Sequence, residues 1–230
     1  MQPDVATAVK LSLIIGAWCA ALGLPVALPL GWLLARKEFP GKAVVSALCL
    51  APVVMPPVVT GFLILRGLGA RSTVGQLLAE IGISVPFSMA GAVLAAFVVG
   101  LPFFVMGTRG AFEAVDPRLE DLSRSLGVPP LATFLRVTLP LALPGIAAGA
   151  LLAFARALGE FGATAIVAGN VEGETRTIAL AIYTLLEAPS GEAAIRTLVA
   201  WSLALALVTL VGYEALMRWQ RRRLELATPE

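Results

Sequence analysis

Apolar residues in this chain come in long blocks, not in the alternation of a half-buried strand or the stripe of a surface helix. Five blocks, at residues 11–34, 43–65, 87–108, 139–158 and 198–217, are each 20 to 24 residues long. A helix crosses the hydrocarbon core of a bilayer with about 20 apolar residues, because every backbone amide must find its partner inside the segment. The pattern therefore predicts an all-α fold, a polytopic membrane helix bundle of five transmembrane helices with room for a sixth, shorter embedded segment. Residues 66–86 carry Gly67, Gly69, Gly75 and Gly82 among scattered apolar positions and predict an external connection. Residues 159–196 alternate apolar patches with Gly, Pro and acids, and the patch 177–186 is too short to span. It predicts a re-entrant or interfacial element near the external mouth.

The first block starts close to the N-terminus, as a signal peptide would. It is longer than a signal's apolar region, and its basic cluster (Arg36, Lys37, Lys42) follows it instead of preceding it, so a retained spanning helix is expected. No internal repeat is visible, which argues against the inverted-repeat designs of many secondary transporters.

Composition agrees with the blocks: 58% of residues are hydrophobic, 14% are charged, and the mean hydropathy is +0.89. A soluble domain carries about 25% charged residues. A net charge of +2 gives no reason to expect a nucleic-acid partner, and the absence of histidine excludes a His-based triad or an imidazole metal site. Cys19 and Cys49 lie inside apolar runs, where a thiol behaves as a small hydrophobe. The placement of charge says more than its sum. Arg36, Lys37 and Lys42 follow the first span, Arg109, Arg118, Arg124 and Arg136 lie between the third and fourth, and Arg218, Arg221, Arg222 and Arg223 follow the fifth. These are eleven of the 17 Lys and Arg residues, and by the positive-inside rule they predict an external N-terminus and a cytoplasmic C-terminus.

The spans contain many helix breakers: Pro25 and Pro29, then Pro52, Pro56, Pro57 and Gly61, then Pro102, then Pro140 and Pro144. Each interior proline removes a donor and frees a carbonyl, which in lipid must be satisfied by a neighbouring helix or a wet cavity. The run APVVMPPVVTG (51–61) predicts a bent helix, either a packing kink or a wall of a translocation pathway formed by Pro56, Pro57 and the Thr60 hydroxyl. Arg156 and Glu160 are four apart and share a helix face. At membrane depth each must face protein or water, so they predict a structural ion pair or a positive station on an anion path.

Residues 113–144, EAVDPRLEDLSRSLGVPPLATFLRVTLPLALP, lie on the basic side between the third and fourth spans. Asp116 predicts a helix cap, Pro117 suits the first turn, and Gly127 with Pro129 predicts the stop. Leu119, Leu122 and Leu126 make an apolar stripe fit for a partner's groove. A second amphipathic piece, 131–137, leads into Leu139 and Pro140.

This segment resembles the coupling loop of type-I ABC importer permeases, E-A-A-x3-G-x9-I-x-L-P. With Gly127 on the pattern's glycine, nine residues (128–136) follow, Val137 takes the Ile position, and Leu139–Pro140 close the pattern. The E-A-A positions become Asp121, Leu122 and Ser123, which keeps the acid in type and loses both alanines. The stretches LARKEFPGK (34–42), LAPVVMPPVVTG (50–61), FARALGEFGAT (154–164) and GETRTIALAIYTLLEAPSGE (173–192) resemble molybdate permeases in particular, a pattern shared in large part by tungstate and sulfate permeases.

The resemblance implies a transmembrane domain over 7–215 and a basic cytoplasmic tail over 216–230, in a bacterial or archaeal cytoplasmic membrane. It implies a homodimer surrounded by lipid, cytoplasmic ABC ATPase subunits that bind ATP and Mg, and an external oxyanion-binding protein. The ATPase-coupling residues would be Leu119, Asp121, Leu122, Arg124, Ser125, Leu126 and Gly127, and the pathway residues Pro56, Pro57, Thr60, Arg156 and Glu160. No G-x-x-x-x-G-K-[ST] motif occurs, so the ATPase would be a separate chain and this one would carry no catalytic residue, metal or cofactor of its own. Two other classes are disfavoured. An ion-coupled carrier needs a relay of intramembrane acids or histidines, where Glu160 is nearly alone. A membrane enzyme needs clustered nucleophiles or metal ligands, and Glu172, Glu174, Glu187 and Glu192 lack that spacing.

Overall fold

A computed structural model describes residues 4–188 and 191–227, and among them every regular element is helical. Four long apolar helices form the frame: α1 (Val5–Arg36), α5 (Met89–Glu113), α8 (Leu139–Leu158) and α11 (Glu192–Ala227). Between them lie α2 (Lys42–Val54), α3 (Pro57–Leu68), α4 (Thr73–Glu80), α6 (Pro117–Ser125), α7 (Pro130–Thr133), a π-helical turn (Phe134–Thr138), α9 (Gly162–Val167) and α10 (Ile178–Leu186). Asp4 caps α1 by accepting from the Thr7 amide and hydroxyl, and the Thr7 hydroxyl is the main cause that holds its carboxyl below the usual range.

The centre is α1, α5 and α8, packed through small residues and a few large ones. Phe104 and Phe112 are fully buried, and the Phe104 ring lies over Gly23, where a Cβ would come within 2.8 Å of it. At the α5–α8 crossing the backbones nearly touch: a Cβ on Gly107 would lie 2.6 Å from the Gly149 Cα, so only glycine fits. Cys19 is buried in this core with its thiol directed at the Ala96 carbonyl, 3.4 Å away, in keeping with a packing role, and Cys49 is half-buried. Helix α11 lies along α8, held at one end by Gln220, which donates to the Ala111 carbonyl at 3.3 Å. Only 11% of its most apolar stretch is buried, against 56% for α5, so its outer wall is left for lipid or a partner.

Four predicted spans map onto single helices; the second does not. Its block divides into α2 and α3, which meet at an angle of 113°. Met55 precedes Pro56, and Pro56 precedes Pro57, so both residues are pushed out of the helical region; Met55 adopts φ −70°, ψ 139° and Pro56 φ −55°, ψ 132°. Pro25, Pro29, Pro102 and Pro144, by contrast, remain inside unbroken helices. The expected external connection contains the short helix α4, capped by Ser72, and the patch at 177–186 becomes α10, capped by Thr177 and too short to cross. The basic tail expected from residue 216 has no boundary of its own, since α11 continues through it to Ala227, and 228–230 lie outside the described residues.

Candidate functional site

The stretch from Val115 to Pro140 folds as the local chemistry dictates. Asp116 accepts from the Arg118 amide at 2.9 Å, and Pro117 occupies the first helical position, where its missing N–H costs nothing. Helix α6 stops at Gly127, whose φ is +80°. The Gly127 amide donates to the Arg124 carbonyl (2.9 Å) and the Val128 amide to the Ser123 carbonyl (3.2 Å), the paired bonds of a Schellman stop. Nothing lies within 4 Å of where a Gly127 Cβ would be, so backbone conformation alone demands glycine there. After α7 the chain widens into the π turn: the Leu139 amide reaches back to the Phe134 carbonyl, and Pro140, with no amide, sits in the first turn of α8.

The leucine stripe divides. Leu119 is half-buried, while Leu122 and Leu126 are 60% and 76% exposed, and Leu131 and Leu135 further along are exposed as well. The short, otherwise charged helix thus carries large apolar side chains on its outer face. Arg124 and Asp121 lie on the outside of α6, 3.9 Å apart, and the Ser125 hydroxyl is used locally, donating to the Leu122 carbonyl at 2.8 Å.

The inner side of α6 is polar, and sequence reasoning missed it. Glu120, whose side chain is 13% exposed, meets the Arg36 guanidinium at the end of α1 at 3.0 Å and accepts from the Thr138 hydroxyl at 3.0 Å. Its other oxygen lies 3.5 Å from Arg124. Arg36 also donates to the Val115 carbonyl at 2.8 Å, and the Ser123 and Thr133 hydroxyls share a bond at 3.1 Å. No residue of α6 is fully buried, so these polar links, and not a greasy core, fix the helix to the bundle. The neighbouring acid Asp121, which takes the acid position of the coupling pattern, is 77% exposed. No local spacing could have paired positions 36 and 120; the basic cluster after the first span was the only hint.

The five pathway candidates gather in one region. Pro56 and Pro57 sit exposed at the break, and α3 packs on α9 so closely that a Cβ on Gly162 would lie 2.9 Å from the Pro57 Cβ. Thr60 is buried on α3 with its hydroxyl unpartnered. Arg156 and Glu160 do pair, at 2.8 Å, and Glu160 also accepts from the Ala163 amide at 2.7 Å. At 2% exposure, Glu160 joins the end of α8 to the start of α9. No group of acids or cysteines suited to a metal ion occurs among the described residues.

A bundle of apolar helices with one broken span, and a charged helix bearing two exposed leucines clasped to one end, is the architecture of a permease of the importer class. The chain matches the family model for binding-protein-dependent transport system inner membrane components over residues 27–225, and it belongs to that family. It is 46% identical over 217 residues, 94% of this chain and 95% of the relative, to the molybdenum transport system permease protein ModB of Escherichia coli (strain K12). The ModB of Haemophilus influenzae is 39% identical over 95% of this chain and 96% of its own length. The sulfate transport system permease protein CysW of Synechocystis is 35% identical, over 91% of this chain and 76% of its own length. An inward-facing structure of the MetNI methionine ABC transporter shares the fold, with a TM-score of 0.72 at 19% identity over 94% of this chain and 95% of that one.

Proposed function

We propose that this chain is the membrane-spanning subunit of an ATP-driven importer that carries molybdate into the cell. The observation that carries the reading is the α6 segment: a helix fixed from within by polar links, showing Leu122 and Leu126 outward, and stopped by a glycine at the spacing of the coupling pattern. A separate ATPase subunit docks on that face, through Leu119, Asp121, Leu122, Arg124, Ser125, Leu126 and Gly127. The basic end bearing Arg36, Arg124 and Arg223 faces the cytoplasm, following the bias of short basic connections. An external binding protein delivers the solute at the other end. Two copies enclose the pathway, with the α2–α3 break on its walls and the Arg156–Glu160 pair bracing the helix ends beside it. Nucleotide-driven closure of the ATPases moves α6, and the bundle passes between two packings.

Molybdate is favoured over sulfate by the closer likeness to the molybdenum permeases than to the sulfate permease. Molybdate, tungstate and sulfate are all tetrahedral dianions, so the binding protein does much of the selecting. The test is uptake of labelled molybdate into vesicles holding the permease, its ATPase and its binding protein. The expected result is uptake that requires ATP and the binding protein and that survives an equal concentration of sulfate. Sulfate uptake without molybdate uptake would reassign the solute, and uptake without ATP would make the chain an ion-coupled carrier.

A further inference from the structure

We propose that Arg36 and Glu120 are the positioning pair through which movement of α6 is passed into the membrane bundle. The inference rests on the importer reading above and names residues that the coupling pattern does not contain.

Helix α6 meets the rest of the chain through very few groups. It has no fully buried residue, its leucines at 122 and 126 face outward, and its flanks are a capping loop on one side and a glycine stop on the other. A partner pushing on such a helix would merely tilt it on its hinges unless something rigid joined it to the spans. Glu120 provides the join. One carboxylate binds Arg36, the last residue of α1, at 3.0 Å, and Thr138, the last residue of the π turn before α8, at 3.0 Å. Arg36 in turn holds the Val115 carbonyl, just past the end of α5, at 2.8 Å. The ends of all three central helices thus meet α6 at a single ion pair.

The chemistry suits a stiff link. One guanidinium nitrogen of Arg36 serves both the Glu120 carboxylate (3.0 Å) and the Val115 carbonyl (2.8 Å), so the planar, rigid head ties the two together. Both side chains are screened from solvent, at 12% and 13% exposure, so salt weakens the attraction far less than at a surface. Arg36 Nε is already buried without a partner, so losing Glu120 would leave a poorly compensated cation in place. The adjacent acids divide their tasks: Asp121 faces out toward a docking partner, and Glu120 faces in.

The experiment uses the assembled permease, ATPase and binding protein in phospholipid vesicles, reading ATP hydrolysed and labelled molybdate imported in the same sample. In Glu120→Gln and in Arg36→Gln the ATPase subunits should still co-purify and hydrolyse, while molybdate imported per ATP falls roughly tenfold, within the range by which coupling residues act. The double variant should be no worse than the worse single one, because the pair acts as a unit. Should Arg36→Gln fail to insert, Arg36→Lys, which keeps the charge but not the planar guanidinium, reads the same ratio and should fall between wild type and Glu120→Gln. A wild-type import ratio in Glu120→Gln and Arg36→Lys would overturn the proposal. So would loss of the ATPase from the variant complexes, since the pair would then only shape the docking surface. If the unaltered complex imports molybdate without ATP, the importer reading fails along with it; if it couples normally and only the variants disagree, the error lies in the positioning pair alone.

Discussion

Two ion pairs in this protein have nearly the same geometry and opposite reach. Arg156 and Glu160 are 2.8 Å apart on successive turns of one chain segment, and what they join is local: the end of α8 and the Ala163 amide in the first turn of α9. Arg36 and Glu120 are 3.0 Å apart and draw together parts of the chain that the sequence keeps far from each other. A local pair can secure an element but cannot set its position relative to another. A long-range pair does little for the formation of either helix and a great deal for where each stands. The first pair should therefore matter chiefly for stability, and the second for how motion in one region reaches another.

The largest expected effect falls on the local pair. Glu160→Ala strips a nearly fully buried carboxylate from Arg156 and leaves the Ala163 amide without an acceptor. Breaking a buried pair from one side costs about 3 kcal/mol. The thermal unfolding midpoint of the detergent-solubilised protein should drop clearly, with Glu160→Gln losing less because its carbonyl can still accept from Ala163. Protein that remains folded should import with an undiminished ratio to ATP. A variant as stable as wild type that imports nothing would reverse the comparison and assign Arg156 to the solute path.

Gly127 offers the next test, on the other region. Its φ of +80° costs a β-branched residue about 2 kcal/mol, and the open space around it means that no clash contributes. Gly127→Val should remain inserted and dimeric yet hydrolyse ATP without importing, because α6 loses its stop. Gly127→Asn, which tolerates the left-handed region, should retain most import. Equal failure of both variants would mean that something in the assembled complex fills the space beside Gly127.

These regions also differ in how much of them the sequence discloses. The bundle is legible because membrane crossing imposes one length and one composition on every span, and the Arg156–Glu160 pair is legible because four-residue spacing is a property of any helix. Asp116 and Gly127 announce the ends of α6 by the same local logic. The 113° break at Met55–Pro56 is only half legible: two adjacent prolines foretell a disturbance, but its angle depends on where α3 finds packing against α9. Glu120 is wholly hidden. Beside Asp121 it looks like one more surface acid on a charged helix, and its partners beyond Arg124 come from the return of α1 and the π turn to the same spot. Long-range contacts depend on topology, which local chemistry does not encode.

The smallest change discriminates most finely between the two routes out of α6. Thr138→Val removes one hydroxyl from Glu120 while keeping the size and the β-branching, so the π turn loses little packing. One hydrogen bond to a charged acceptor is lost, worth about 1.5 kcal/mol, and Arg36 and Arg124 remain beside the carboxylate. If movement passes mainly through α1, import per ATP should fall by no more than roughly threefold, less than the coupling changes seen when a shared network is cut outright. If it passes mainly through the π turn into α8, Thr138→Val should match Glu120→Gln, and Arg36→Lys should be nearly silent. The ratio of those two variants, measured in one vesicle preparation, therefore identifies which helix receives the push.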